Sequence, residues 1–218
     1  MALVLPNSVF VHVPRAGGQW FRKTVAASLS PGLRRRRRES DRHNAIAVYH
    51  CSYSELPIDF QLRPCFGFIR HPLPWLRSRW THQRQFGISN RATAPIHKQF
   101  NSCWKPTFPA TVESILGTCP GLVTKTFEYM LDGCTFIGRV EDFPRAPILI
   151  LRMCNERFNV RPFLTTKPVN STGSLPENQK DLHLPPSLQK EFLHSESAFI
   201  SKWYGPDWYS PVRIQISS

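Results

Sequence analysis

The stretch from Ser8 to Thr24 constrains this chain more than any other part of it. Ser8-Val9-Phe10-Val11-His12-Val13 is short, apolar and β-branched, the composition of a strand buried on both faces of a parallel sheet. Pro14 stops the strand, and Gly17 and Gly18 free the backbone for a tight turn. Gln19-Trp20-Phe21-Arg22-Lys23-Thr24 is then compatible with a helix. A strand, a glycine turn and a helix in that order aim backbone N–H groups and a positive helix end at one point, which suits an anion. Arg15 adds a fixed charge inside the turn, so the expected guest is a phosphate or a sulfate. The motif is not a P-loop, because no Gly-Lys-Ser/Thr follows to offer a hydroxyl to Mg²⁺.

The rest of the chain alternates in the same way. Asn44-Ala45-Ile46-Ala47-Val48-Tyr49-His50 is a second strand candidate that delivers His50 at its carboxyl end. Cys65-Phe66-Gly67-Phe68-Ile69 is a third, ending in Arg70-His71-Pro72 and running into a helical segment, Leu73 to Trp80. Thr111 to Cys119 and Leu122 to Leu131 read as short helices, and Cys134 to Val140 as a strand with Glu141-Asp142 at its end. Ala146 to Phe158 reads as a helix, although Ile148 to Leu151 alone suits a strand, and Leu188 to Tyr204 reads as a closing amphipathic helix. This alternation predicts a three-layer α/β domain, a parallel sheet with right-handed crossovers flanked by helices. Ligands of such sheets gather at the carboxyl ends of the strands, and Arg15, His50 and Arg70 each follow a predicted strand.

Residues 85–109 lose the pattern to Gly, Asn, Thr, Pro and isolated aromatics, and are expected to form a lid or acceptor-binding excursion. Pro162 to Pro186 is polar and proline-bearing, hence mostly loop. Trp20, Trp75 and Trp80 are expected in the core, and Trp104 is a candidate to stack on a sugar or aromatic acceptor.

Composition bounds the function. With 218 residues, 41% of them hydrophobic, the chain is expected to be a single domain, 1–218, with a sizeable core. A net charge of +13, five of it in the run Arg34 to Arg38, points to an anionic partner: nucleotide, acidic polymer, nucleic acid or membrane surface. A solvated basic face is the competing account of that run. No apolar run approaches the ~20 residues of a membrane span, and the opening residues carry no signal-like segment. Six scattered cysteines without a Cys-x-x-Cys pair argue against zinc and against a disulfide framework. A soluble, cytoplasmic protein with free thiols and no metal is expected.

Taken together, these residues resemble the sulfotransferases that use 3′-phosphoadenosine 5′-phosphosulfate (PAPS). Pro14-Arg15-Ala16-Gly17-Gly18-Gln19-Trp20 resembles that family's 5′-phosphosulfate loop, with Arg15 where the family has lysine and Gln19 where it has threonine. Phe68-Ile69-Arg70-His71-Pro72, with Ser78 eight residues after Arg70, resembles its 3′-phosphate motif. His50 to Pro57 is similar to the segment carrying the catalytic histidine in the cytosolic branch. Leu122 to Phe127 and Phe136 to Phe143 are similar to a helix and a Gly-Arg-x-Glu strand of the carbohydrate-type branch.

The resemblance implies a P-loop-NTPase-like sulfotransferase fold and sulfuryl transfer from PAPS to a hydroxyl, leaving adenosine 3′,5′-bisphosphate (PAP). The acceptor it implies is a hydroxyl-bearing small molecule or glycan, an anionic one included, and not nucleic acid. Sulfuryl transfer resembles phosphoryl transfer in needing in-line geometry and fixed positive charge at the leaving group. Arg15 and the loop from Ala16 to Trp20 are expected to supply that charge, and His50 to act as base. Arg70 and Ser78 are expected to hold the 3′-phosphate, and Asn170 and Ser171 to close over the nucleotide. Glu55 is an alternative base, and Glu141 is expected in a structural ion pair. Three rival readings stay open: a P-loop-type nucleotide kinase-like enzyme, a basic polyanion- or nucleic-acid-binding protein, and a family member that holds the nucleotide without turnover.

Overall fold

The computed structural model describes residues 2–29, 51–87, 95–167, 182–205 and 212–214. His50, the Arg34–Arg38 run, Asn170 and Ser171 lie outside them, as does the predicted strand Asn44 to His50. The chain divides into two compact units: Met1–Ile69 with Met130–Val169 and Ser210–Ser218, and Arg70–Tyr129 with Asn170–Tyr209.

Among the described residues, the first unit is built on a sheet of five strands in sequence order, β1 (Leu3–Val4), β2 (Val9–Val11), β3 (Cys65–Ile69), β4 (Phe136–Arg139) and β5 (Val212–Ile214). β2, β3 and β4 run parallel, as the alternating pattern requires. β1 and β5 pair antiparallel at the two edges, so the sheet is mixed rather than wholly parallel. Edge strands of two and three residues carry too little pattern to be read from sequence. β3 is the centre: each of its five residues is buried, which is why Cys-Phe-Gly-Phe-Ile reads as one apolar run instead of alternating.

One face of the sheet carries the aromatic core. Phe10, Phe66 and Phe68 meet Phe21 of helix α1 (Gly18–Ser28), with ring centroids 4.6, 5.6 and 5.3 Å apart. After α2 (Ile58–Gln61), the helices of the second unit are α3 (Pro72–Phe86), α4 (Pro95–Cys103) and α5 (Phe108–Thr118). α6 (Leu122–Leu131) ends in the first unit, where Leu131 covers the opposite face of the sheet at Gly67. α7 (Arg145–Met153) and α8 (Arg161–Thr165) complete the aromatic face through Ala146, Ile150, Leu151 and Phe163. Helices thus lie on both faces of the sheet, compatible with a three-layer α/β arrangement.

In the second unit, Trp75 and Trp80 of α3 are buried, as expected, against Phe100, Phe127 and Phe108. The excursion at 85–109 is not irregular throughout: 95–103 is helix α4, while 88–94 lie outside the described residues. Trp104 is half-buried beside it. Within the expected loop at 162–186, part of α8 is helical and 168–181 are not described. Ile148 to Leu151 is helical, within α7.

The closing helix expected over Leu188–Tyr204 is two helices, α9 (Pro186–Ser195) and α10 (Ser197–Tyr204), broken at the fully buried Glu196. The Glu196 carboxylate accepts from the backbone N–H groups of Val123 and Thr124, at 3.0 and 2.8 Å, and from the Thr124 hydroxyl. A buried carboxylate needs donors, and the first turn of α6 has orphan N–H groups to offer. That long-range capping interrupts a pattern that locally reads as continuous helix. No described helix is long and apolar enough to cross a membrane.

Candidate functional site

The glycine turn has the form its sequence predicts. β2 ends at Val11, residues 14–17 form the turn, and α1 starts at Gly18. Arg15 sits in the left-handed region at φ 65°, and Gly17 follows at φ 72°. For arginine this conformation costs on the order of 1 kcal/mol, so the fold holds the residue against its own preference. Gly17 is required twice over: its φ is positive, and a β-carbon there would come within 2.8 Å of the Phe143 ring.

The start of α1 has the charge character that suits an anion. No side chain caps the helix, and no acidic residue stands in its first turn. The helix dipole therefore places partial positive charge at the turn that carries Arg15. Gln19 is exposed on the first turn, whereas Ala16 and the Trp20 side chain are buried. The Trp20 indole donates to the Thr166 carbonyl at 2.9 Å and packs 4.9 Å from Phe143. Trp20 thus brings only its backbone to the loop, and its side chain serves the core.

The strand register brings further groups to the same edge of the sheet. Val11 pairs with Gly67 and Ile69 with Arg139, so the carboxyl ends of β2, β3 and β4 lie together. Arg139 holds Asp142 in a two-point ion pair, Nε to Oδ2 at 2.6 Å and Nη2 to Oδ1 at 3.2 Å. Arg139 thus engages the Asp142 carboxylate at the end of β4. His12, singled out by nothing in the sequence beyond its place after β2, is buried directly behind Gly18.

The second turn begins where β3 ends. Arg70 follows Ile69 and is half-buried, and Pro72 starts α3 at the position where a missing N–H costs nothing. This helix start also has no side-chain cap and no acid in its first turn. Ser78, six residues into α3, is buried at 5% exposure. Arg15 to Trp20 belong to the first unit, and Arg70 and Ser78 to the second.

The segment after His50 is tightly held. Ser52 is buried, and Glu55 reaches back to it, accepting from its N–H at 2.6 Å and its hydroxyl at 3.0 Å. Tyr53 N–H donates to the Met130 carbonyl at 3.1 Å. Glu55, an alternative base by sequence, thereby fixes a turn, in the manner of a capping box.

All six cysteines are free and buried. Burial pushes the Cys65 thiol up to about 12 and the Cys154 thiol up to about 11. Among the described residues no group of His, Cys, Asp or Glu is placed to hold a metal ion. Compared with protein-family models, curated proteins and solved structures, the chain matches none.

Proposed function

We propose that this chain is a sulfotransferase of the PAPS-dependent type, transferring a sulfuryl group to a hydroxyl of an acceptor such as a carbohydrate. The observation that carries the reading is the Arg15 turn. A guanidinium held in a disfavoured backbone conformation stands immediately before an uncapped, acid-free helix start, at the carboxyl edge of the sheet. A second such start, at α3, follows Arg70 and carries Ser78.

By their chemistry, these donor sets suit the two ends of PAPS, a sulfated phosphate and a 3′-phosphate. When bound, PAPS supplies the activated sulfuryl group and its phosphate leaving group. Arg15 and the first N–H groups of α1 would bind the 5′ end and offset the charge that develops there. Arg70 and Ser78 would bind the 3′-phosphate, a bidentate cation beside a hydroxyl donor. Asn170 and Ser171 are assigned to closing over the nucleotide. His50 is assigned the proton of the acceptor hydroxyl, which suits an imidazole near neutral pH. The ordered turn from Ser52 to Glu55 anchors the chain two residues beyond it.

The test is sulfuryl transfer from labelled PAPS to a panel of hydroxyl acceptors. Turnover is expected in the wild type. His50→Ala is expected to lose roughly 10²-fold or more of it while PAP affinity stays nearly unchanged. Absence of transfer to every acceptor, with PAPS left intact, would contradict the reading.

A further inference from the structure

The second unit holds a cavity of about 440 Å³ that the sulfotransferase reading does not use. It lies between α3 and the start of α9, and neither Arg70 nor Ser78 lines it. Its polar lining is Arg77 from α3, His183, and Gln189 and Lys190 from α9. Leu184 and Leu193 supply an apolar wall. Among the described residues, none that lines it is acidic.

Arg77 is the informative residue. Its Nε is enclosed by protein and has no hydrogen-bond partner, and none of the described residues forms an ion pair with its guanidinium. Burial pulls its pKa below the ordinary value. A buried donor on a full charge, left unmatched, is costly, and that cost is relieved when an anion enters. Lys190 and His183 are exposed at the same cavity and add donors without needing to be buried. α9 contributes in the same sense: its start has no side-chain cap and no acid in its first turn.

We infer that this cavity binds the oxyanion group of a ring-bearing small molecule or sugar, a carboxylate or a sulfate ester, with the half-buried Arg77 as its main cation. The volume falls within the usual range for small-molecule sites, ~300–1,000 Å³. The leucine wall suits the apolar face of a pyranose or aryl ring, while the cations take the charged substituent. The inference stands independently of the donor assignment, because its residues and ligand chemistry are separate from those of the Arg15 turn.

The experiment is calorimetric titration of the full chain with three 4-nitrophenyl compounds: the glucuronide, the sulfate ester and the neutral glucoside. The glucuronide or the sulfate ester is expected to bind at least about tenfold more tightly than the glucoside. Whichever of the two binds better identifies the source of the oxyanion. Lys190→Gln, at an exposed position that folding tolerates, and Arg77→Met are each expected to erase most of that preference. Arg77→Lys is expected to restore part of it. Binding of both the glucuronide and the sulfate ester no tighter than that of the glucoside, or a preference that survives Lys190→Gln and Arg77→Met in folded protein, would overturn the inference.

Discussion

The His12 ring occupies the space that a side chain at Gly18 would need, so the first residue of α1 is glycine because a histidine stands behind it. His12 in turn stacks on Phe10, ring centroids 5.8 Å apart. The turn that carries Arg15 is thereby tied to the aromatic core. Gly18→Ala is expected to destabilise the protein by about 1–3 kcal/mol, the range for overpacking a filled site. Urea denaturation measures it. An unchanged midpoint would show that His12 yields freely.

Arg15 trades stability for charge. Arg15→Gly relieves the left-handed backbone, worth roughly 1 kcal/mol, but removes the cation from the turn. The variant is expected to melt no lower than wild type while binding PAP at least about tenfold more weakly, the scale of one lost charge-assisted contact. Melting curves and calorimetry on the same sample check both halves.

Glu196 should make stability fall as pH rises. Burial holds its carboxyl above the ordinary value of 4.5, although the Thr124 and Val123 donors pull the other way. A carboxyl raised in the folded state binds its proton more tightly there than in the unfolded chain. Its contribution is therefore full below the unfolded value and is lost as pH climbs through the folded one. Glu196→Gln, which keeps an acceptor for the α6 start, is expected to flatten the stability profile across that interval. Glu196→Ala leaves buried donors unmatched and is expected to cost about 1–3 kcal/mol at every pH. Denaturant titrations at stepped pH distinguish the two.

The thiols should be inert until the fold opens. Cys65 and Cys154, pushed up to about 12 and about 11, carry almost no thiolate near neutral pH and are shielded as well. Native protein at about pH 8 is expected to react with a disulfide reagent far more slowly than free cysteine, and denatured protein to release six equivalents promptly. Rapid labelling of Cys65 in native protein would contradict the burial.

What could be read from the sequence were the elements whose signal is local. β3 is a continuous apolar run, α6 runs from Leu122 to Leu131 as its pattern predicts, and the β2–α1 turn is marked by Pro14 and two glycines. Long-range effects were not legible. The break at Glu196 is set by N–H groups of α6, far away in the chain, and the antiparallel edges β1 and β5 by pairing alone. The same holds for the cavity at Arg77 and Lys190, whose residues no spacing rule connects. At the candidate site, the Arg15 turn was legible because glycine and proline have fixed backbone consequences. His12 was not, because its role comes from what it packs against.

The central claim is that Arg15 and Arg70 serve one nucleotide, and calorimetric titration with PAP tests it most directly. Wild type, Arg15→Gly and Arg70→Ala are compared. The account predicts saturable binding with one molecule per chain, about 2.7 kcal/mol of added apparent stability at a hundredfold excess over Kd, and at least about tenfold weaker binding in each variant. No binding by wild type, or a variant that binds PAP as wild type does, would contradict it.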